Sequence, residues 1–509
     1  MAGVFGRRNI EMARLGTKSI AKRDVNRLSQ ARSAKDIHQA LDRIVKVVRS
    51  DASIVSFPKF RKFLGRVSDS EDSLKNLHSQ LLDRLKISLD QWTKIEAMTQ
   101  KWASLYDNPD FGHLVQPLVQ DLSAFFGCKT RSFSVPLKDM GLWDFRLLFP
   151  DIHLNYFDDE IHMIVVTDSR AGPNEFAAVK DIIHKNDATM KVTLLLVLGN
   201  GDQLRELAKT SSIEIVVLDE DDCREIMLSP NSKRMFCHRV ARRISVQALQ
   251  PYQTQGKVRS RMFYGRHDEI KRLKSNLSNS FAIYGGRLIG KSSLLHQIDQ
   301  EFEHGETGGY RVCSITAQAF TSSVEACRAL LKELDIPTAK HRSVLTFERL
   351  MRDYLLSHTG RVLILVDEVD DLIVLDGRDN YQMFEAFHNL NNDFGERCRF
   401  VFAGYRDLAR QCMDSKSRFR NFAEPIRLGN LDPVSARLLI EEPMCEELGF
   451  RFESDDLVEK ILEMTAGHPN YIQVFCKELT EYLERQQRRR VREHDIEYTY
   501  HNADFRDRV

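Results

Sequence analysis

Eight consecutive residues in the middle of the sequence have the types and spacing of a phosphate-binding loop. They fit the pattern G-x-x-x-x-G-K-[ST] and are Gly285, Gly286, Arg287, Leu288, Ile289, Gly290, Lys291 and Ser292. Glycine allows close approaches that a Cβ would prevent, so the loop amides and the next helix N-terminus can face phosphate oxygens. Lys291 is expected to reach the β- and γ-phosphates of ATP, and the Ser292 hydroxyl to ligate Mg²⁺. Ser293 is assigned to the same nucleotide site.

The segments on either side of this loop have the periodicity needed to position it. A short apolar strand, Phe281–Tyr284, precedes it, and a helix is predicted from Ser293 onward. Further along the chain, the apolar strand 361–366 ends in Asp367 and Glu368. Asp367 is expected to hold Mg²⁺ through water, and Glu368 to polarise the attacking water. The region is therefore predicted to be a parallel α/β core that binds and hydrolyses ATP.

Composition places this core in a multidomain protein. The 509 residues are too many for one ordinary core, and 42% hydrophobic with 29% charged residues is typical of soluble globular chains. A net charge of +1 argues against binding a polyanion through bulk charge. Nine scattered cysteines without a C-x-x-C pair argue against disulfides or a zinc ribbon. No apolar run approaches about eighteen residues, so we expect a cytoplasmic protein with no membrane span.

Changes of pattern along the chain predict four regions in a multidomain α/β protein. Residues 1–126 read as a basic helical module, and the segment between Phe126 and Pro150 as irregular. Residues 150–248 alternate apolar strands and helices, which predicts a small parallel, Rossmann-like domain that acts as an effector or a sensor. A Pro/Gln/Gly-rich linker then leads to an ATPase core at 260–430, followed by a helical lid and basic tail at 431–509.

The 150–248 region carries polar residues at its predicted strand ends, where ligands bind in open parallel sheets. These candidates are Asp168, Ser169, Gly199, Asn200, Gly201, Asp219 and Glu220. Ordinary turn chemistry explains them equally well. An alternative is a nuclease-like fold, in which Asp151, Asp158 and Glu160 would hold Mg²⁺. Against it, position 162 is histidine rather than the expected lysine.

With both nucleotide motifs placed, residues 260–490 resemble the STAND and archaeal-type branch of the AAA-like P-loop ATPases, in the multidomain bacterial form. The segment Met262–Arg266 is similar to the F-x-G-R-x-x-E motif that abuts adenine, which implies nucleotide contacts from Tyr264, Gly265 and Arg266. The segment Leu363–Asp370 resembles the Walker B strand. Gly467, His468 and Pro469 resemble the G-x-P motif of the lid, whose proline packs on adenine.

The resemblance leaves the γ-phosphate contacts open. Phe400–Gly404 is similar to the sensor-1 strand, but Tyr405 stands where relatives usually have a small polar residue. An arginine contact on the γ-phosphate is implied, and the candidates are Arg406, Arg418 and Arg420.

Three functions are compatible with these patterns. The resemblance implies a slowly hydrolysing ATP switch that forms homo-oligomers, engages a protein partner, controls its N-terminal domains and serves in bacterial stress or antiviral defence. A second hypothesis is a DNA-associated ATPase that loads or positions a partner, with DNA contacts from the basic N-terminal helices and from Arg485–Arg492. A third is a nuclease effector gated by the ATPase.

Overall fold

The computed structural model divides the chain into two compact units. It describes Val45 and residues 71–107, 112–137, 141–155, 157, 160–167, 171–186, 192–211, 213–254, 256, 260–276, 278–303, 309–338, 343–415, 417 and 419–507. The first unit runs to Leu249 and includes Glu446–Gly449, and the second comprises Gln250–Cys445 and Phe450–Val509. No helix in these ranges is long and apolar enough to cross a membrane.

The first unit contains helices packed with a mixed sheet. Among the residues described from 71 onward, three helices come first, α1 (Glu71–Leu85), α2 (Leu89–Asp107) and α3 (Gly112–Phe126). The strands are β1 (Lys129–Leu137), β2 (Leu142–Leu148), β3 (Glu160–Val166), β4 (Val192–Val197) and β5 (Glu214–Leu218). The later helices are α4 (Pro173–Asn186), α5 (Asp202–Lys209), α6 (Glu220–Met227), α7 (Ser232–Ala241) and α8 (Val246–Leu249). The sheet order is β1-β2-β3-β4-β5.

The predicted α/β class is confirmed, and the parallel part of the first sheet is β3, β4 and β5. The expectation of irregular chain between Phe126 and Pro150 is wrong, because β1 and β2 lie there as antiparallel strands. The exposed side chains of Lys129 and Arg131 together with Pro136 hide the apolar period of β1. The predicted helices before residue 71 lie outside the described residues.

The second unit has a three-layer core followed by a helical lid. Its core strands are β6 (Ser280–Gly285), β7 (Tyr310–Thr316), β8 (Arg361–Asp367), β9 (Cys398–Gly404) and β10 (Ala423–Leu428). Its core helices are α9 (His267–Ser275), α10 (Lys291–Glu303), α11 (Ser323–Glu333), α12 (Val344–Ser357), α13 (Val369–Gly377), α14 (Gln382–Phe394), α15 (Arg406–Met413) and α16 (Phe419–Phe422). The lid contains α17 (Pro433–Glu441), α18 (Asp456–Thr465), α19 (Pro469–Arg485), α20 (Glu493–His501) and α21 (Ala503–Arg506). A π-helical segment, Glu442–Glu447, follows α17, and strands β11 (Arg451–Phe452) and β12 (Arg490–Val491) pair within the lid.

Sheet order brings the predicted chemistry to one edge of the core. The strands are all parallel and run in the order β10-β6-β9-β8-β7. Strands β8 and β9 are apolar and almost wholly buried because helices cover both faces of the sheet. The phosphate loop follows β6, and the two predicted acids end β8, with β9 between these strands. All three strand ends therefore meet at the carboxyl edge, where ligands bind in such sheets.

A buried carboxylate fixes the chain on the far side of α13. Asp376 is fully buried, and its carboxylate accepts hydrogen bonds from the Met383 and Phe384 amides, each at 3.0 Å. The Ser323 hydroxyl donates to the same carboxylate at 2.9 Å. This one side chain therefore joins the start of α11 and the end of α13 to the start of α14.

We expect Asp376→Ala to lower the free energy of unfolding of the second unit by about 3 kcal/mol, because three buried donors lose their acceptor. Denaturant unfolding of the full chain measures the change. Asp379→Ala, a change at an exposed acid of the next turn, is the matched control and should be within about 0.5 kcal/mol of wild type. Equal stability of the two variants would contradict the assigned role.

Candidate nucleotide-binding site

Two glycines of the phosphate loop are required for different reasons. A Cβ on Gly285 would lie 2.6 Å from the carbonyl oxygen of Leu428 on the neighbouring strand, so no side chain fits there. Gly290 has φ of +100°, a conformation that L side chains rarely adopt. Positions for a Cβ on Gly286 and Gly290 have no atom within 4 Å. The loop therefore packs tightly against β10 on one side and faces open space on the other.

Lys291, the first residue of α10, is held over its own loop. Its Nζ donates to the carbonyl oxygens of Gly286 at 2.8 Å and Gly285 at 3.2 Å, and the residue is 7% exposed. An ammonium has three donors, so this arrangement leaves a further one for a phosphate oxygen. Burial lowers the pKa of Lys291, and the charges of Glu368, Asp367 and Asp370 oppose that shift. The ammonium thus lies close to the acids that follow β8.

The two acids at the end of β8 differ in backbone and environment. Asp367 is buried, and its Oδ1 accepts a hydrogen bond from the Glu368 amide at 3.0 Å. Glu368 has φ of 52°, in the left-handed region that disfavours residues with a Cβ. Burial and the charge of Asp367 raise the pKa of the Glu368 carboxyl. A raised pKa at a strained residue beside a lysine is typical of a functional carboxylate.

Asp370 has a structural role at this edge. Its carboxylate accepts hydrogen bonds from the main-chain amides of Tyr405, Asp407 and Leu408, which follow β9. A Cβ on Gly404 would lie 2.4 Å from Asp370 Oδ2, so glycine is needed at the end of β9. The third acid of the Walker B-like segment therefore ties the end of β8 to the start of α15.

The turn after β9 brings an aromatic ring and an arginine to the phosphate loop. The Tyr405 ring centroid lies 5.8 Å from Lys291 Nζ and 5.1 Å from Arg406 Cζ. Arg420 precedes β10, whose first residue pairs with Ser280 at the start of β6, so it lies at the opposite edge of the sheet. Arg418 lies outside the described residues. Of the two described arginine candidates, Arg406 is the one at the same end of the sheet as the loop.

The residues implied in adenine binding meet the segment that enters the lid. Arg266 has φ of 65°, and its Nη2 donates to the carbonyl oxygens of Gly429 at 2.6 Å and of Ile289 in the phosphate loop at 3.3 Å. The Tyr264 hydroxyl donates to Glu442 Oε2 at 2.8 Å. A Cβ on Gly265 would lie 3.0 Å from Ser435 Oγ. These contacts join the start of the core to the start of the lid.

The turn Gly467–Pro469 is hydrogen-bonded to the same segment. The Leu431 amide donates to the Gly467 carbonyl at 3.0 Å, and Asn430 Nδ2 donates to the Ala466 carbonyl at 2.7 Å. Pro469 is the first residue of α19, where its fixed φ favours helix formation. Burial lowers the pKa of His468, and a hydrogen bond with the Arg287 main chain opposes that shift. The lid turn is thus adjacent to the phosphate loop.

The arrangement fits a magnesium nucleotide. The open side of the loop can take the phosphates, and the hydroxyl of Ser292 and the carboxylate of Asp367 are the hard oxygen ligands that Mg²⁺ prefers. Tyr264, Gly265, Arg266 and Pro469 lie on the side of the lid, and Lys291 and Glu368 on the side of β8. The sequence did not predict the contacts of Glu442 with Tyr264 and of Gly429 with Arg266, because more than a hundred residues separate the partners. It did not predict the contact of Asn430 with Ala466 because neither residue belongs to the G-x-P motif.

Comparison with family models decides the wider relationship. The model described as Novel STAND NTPase 1 matches residues 247–501, half of the chain. The chain belongs to this family. This STAND NTPase therefore has the P-loop ATPase fold that its sequence resembles. No curated protein matches the chain.

Solved structures give more distant similarities. The Aeropyrum pernix ORC1 protein in complex with DNA is 15% identical, with 47% of this chain and 65% of that chain covered and a TM-score of 0.35. The Cdc6p structure from Pyrobaculum aerophilum is 13% identical, with 50% of this chain and 70% of that chain covered and a TM-score of 0.38. The Walker-type ATPase of Pyrococcus abyssi is 16% identical, with 48% of this chain and 74% of that chain covered and a TM-score of 0.35. This STAND NTPase thus spans less than two thirds of the ORC1 chain.

In the first unit, the polar strand-end candidates are used within the fold. Asp219 accepts a hydrogen bond from the Asp222 amide at 3.0 Å and pairs with Arg205. Asn200 Oδ1 accepts from the Asp202 amide at 2.7 Å. Asp158, Asp168 and Ser169 lie outside the described residues. Within the described ranges no group of three or more His, Cys, Asp or Glu side chains could hold a metal ion.

Two of the three acids of the nuclease alternative lie in the described ranges, and each has a contact of its own. The Glu160 carboxylate pairs with Arg131 at 2.5 Å, and the main-chain carbonyl of Asp151 accepts a hydrogen bond from Lys233. His162 is fully buried and pairs with Asp144 on the neighbouring strand.

The C-terminal arginine run is largely engaged with the lid itself. Arg488 donates to Asp495 at 2.7 Å, and Arg490 and Arg492 pair with Glu453 at 3.1 and 3.5 Å. The Arg489 guanidinium lies 4.7 Å from the Phe450 ring centroid. Four of the arginines therefore contact the lid, although the Arg490 and Arg492 side chains are 65% and 50% exposed.

We expect Glu368→Gly to be more stable than Glu368→Ala by about 0.5–1 kcal/mol, because glycine relieves the left-handed strain and alanine keeps it. Thermal unfolding without nucleotide measures the difference. The same pair of changes at Asp371, in the following helix, is the control, and there alanine should be the more stable variant. Equal stability of the two Glu368 variants would mean that the site stores no strain at this residue.

Proposed function

We propose that this STAND NTPase binds MgATP, hydrolyses it slowly, and couples the nucleotide state to the position of its lid. The observation that carries the proposal is the position of Arg266. One guanidinium nitrogen donates both to the phosphate loop at Ile289 and to the lid-entering residue Gly429. Phosphate binding in the loop therefore acts directly on the segment that moves the lid. A domain that only bound nucleotide would not need this connection.

The chemistry is assigned to residues at the carboxyl edge. The loop amides and Lys291 bind the β- and γ-phosphates, and Ser292 and Asp367 hold Mg²⁺, which supplies charge neutralisation on the phosphate oxygens. Glu368 orients and polarises the attacking water, for which a raised pKa suits a general base. Arg406, beside Lys291, contacts the γ-phosphate.

The switch uses the difference between ATP and ADP. In the ADP state Pro469 and the lid turn pack on the nucleotide, and the contacts of Asn430 and Leu431 with that turn keep the lid closed. In the ATP state the lid opens, the protein assembles into homo-oligomers, and the first unit transmits the change to a protein partner. A role in bacterial stress or antiviral defence follows from the family resemblance and belongs to the same proposal, as does a cytoplasmic location.

The DNA-associated and nuclease functions have less support. Arg488 is largely buried against Asp495, and Arg490 and Arg492 are partly neutralised by Glu453. DNA retention that falls steeply with salt, and that is lost when these arginines become glutamates, would favour the DNA function. Cleavage of a plasmid in the presence of Mg²⁺ and ATP would favour the nuclease.

Lys291→Ala is expected to weaken ATP binding by about a hundredfold or more, because a charge-assisted contact with two phosphates is lost. Titration of the full chain with a fluorescent ATP analogue measures the affinity. Lys271→Ala, at an exposed lysine of α9, is the control and should bind as wild type does. Normal affinity of the Lys291 variant would refute the loop assignment.

Glu368→Gln is expected to bind ATP normally and to lower its turnover by roughly a hundredfold or more, because the amide cannot act as a base. With ATP this variant should accumulate as oligomers on a sizing column with light scattering, whereas ADP should leave it in the smaller form. Asp371→Asn is the control for the loss of a carboxylate nearby. Turnover at the wild-type rate, or a size independent of nucleotide, would contradict the proposed switch.

A further inference from the structure

Tyr405 is the point at which this chain departs most clearly from the sensor-1 pattern. The residue follows β9 directly, at the edge where the phosphate loop and Asp367 lie. Its ring centroid is 5.8 Å from Lys291 Nζ and 5.1 Å from Arg406 Cζ, so both cations lie within the range of a cation–π contact. The Tyr405 ring is therefore within cation–π range of both Lys291 and Arg406.

The main chain fixes where this ring lies. The Tyr405 amide donates to Asp370, as do the amides of Asp407 at 2.6 Å and Leu408 at 3.2 Å. These bonds do not involve the phenol side chain. A substitution at Tyr405 therefore removes the ring while Asp370 still holds the turn.

The ring lowers an electrostatic cost at this edge. Arg406 is the first residue of α15, where the helix dipole disfavours a cation. The negative face of an aromatic ring attracts cations and so offsets this cost before any phosphate is bound. Arg406 is exposed to solvent, so loss of the ring would leave its guanidinium less fixed in position.

We propose that Tyr405 is a positioning residue that holds Arg406 beside Lys291 for contact with the γ-phosphate, and thereby sets the preference for ATP over ADP. The inference deepens the proposed function and rests on it. ADP has no γ-phosphate, so loss of the ring changes affinity for ATP and leaves affinity for ADP almost unchanged. The phenol hydroxyl has no part in this role.

The test measures the affinities of the full chain for ADP and for a non-hydrolysable ATP analogue in wild type, Tyr405→Leu and Tyr405→Phe. We expect Tyr405→Leu to lower the ATP-to-ADP preference by about tenfold and Tyr405→Phe to keep it. Tyr354→Leu, at a half-buried tyrosine near the opposite edge of the sheet, is the matched control and should keep the preference. A leucine variant with the wild-type preference, or a phenylalanine variant as defective as leucine, would overturn the proposal.

A double-mutant cycle separates positioning from a general effect on folding. In the Arg406→Ala background, Tyr405→Leu should produce no further loss of preference, because the ring acts through the arginine. Additive losses would overturn that route. If wild type binds neither nucleotide, the proposed function fails and this inference fails with it; if wild type binds both and only the variants behave otherwise than expected, the inference alone fails.

Discussion

The carboxylate of Asp370 accepts hydrogen bonds from three main-chain amides in the turn after β9. The geometry of the site around the phosphate loop depends on these hydrogen bonds. The acid itself follows β8, so the bonds lock two neighbouring strand ends together. Position 404 must be glycine because a Cβ there would collide with the same carboxylate. Glu368 on one strand end and Tyr405 with Arg406 on the other thus hold fixed positions relative to Lys291.

Burial of the charged groups at this edge is unfavourable. Burial lowers the pKa of Lys291 and raises that of Glu368, so burial disfavours the charged form of each group. Glu368 is also held in a left-handed conformation. Charge and backbone strain together mean that the fold sacrifices some stability at this point, as functional sites commonly do. A bound polyphosphate would satisfy the ammonium.

Sequence patterns predicted those parts of the site that lie within short segments. The phosphate loop, the acids after β8 and the strand β9 each have their own local signature, and the structure places them at one sheet edge. The contacts of Arg266 with Gly429 and of Tyr264 with Glu442 could not be predicted, because they join residues separated by more than a hundred positions. In the sequence, Asp370 belongs to the segment that resembles the Walker B strand. Only the structure shows the three main-chain amides that donate hydrogen bonds to it. Strand β1 was missed because its exposed charges and Pro136 conceal the alternation.

The double contact of Arg266 has a kinetic consequence. A lid movement that separates Gly429 from Ile289 must break at least one of the two bonds that a single nitrogen makes. Breaking it exposes a carbonyl and leaves a largely buried guanidinium with fewer partners, which raises the barrier between the two arrangements. In the proposed switch, each arrangement would then have a lifetime set by the protein rather than by how fast nucleotide arrives. Such a switch would respond to a sustained change in its surroundings and ignore a brief one.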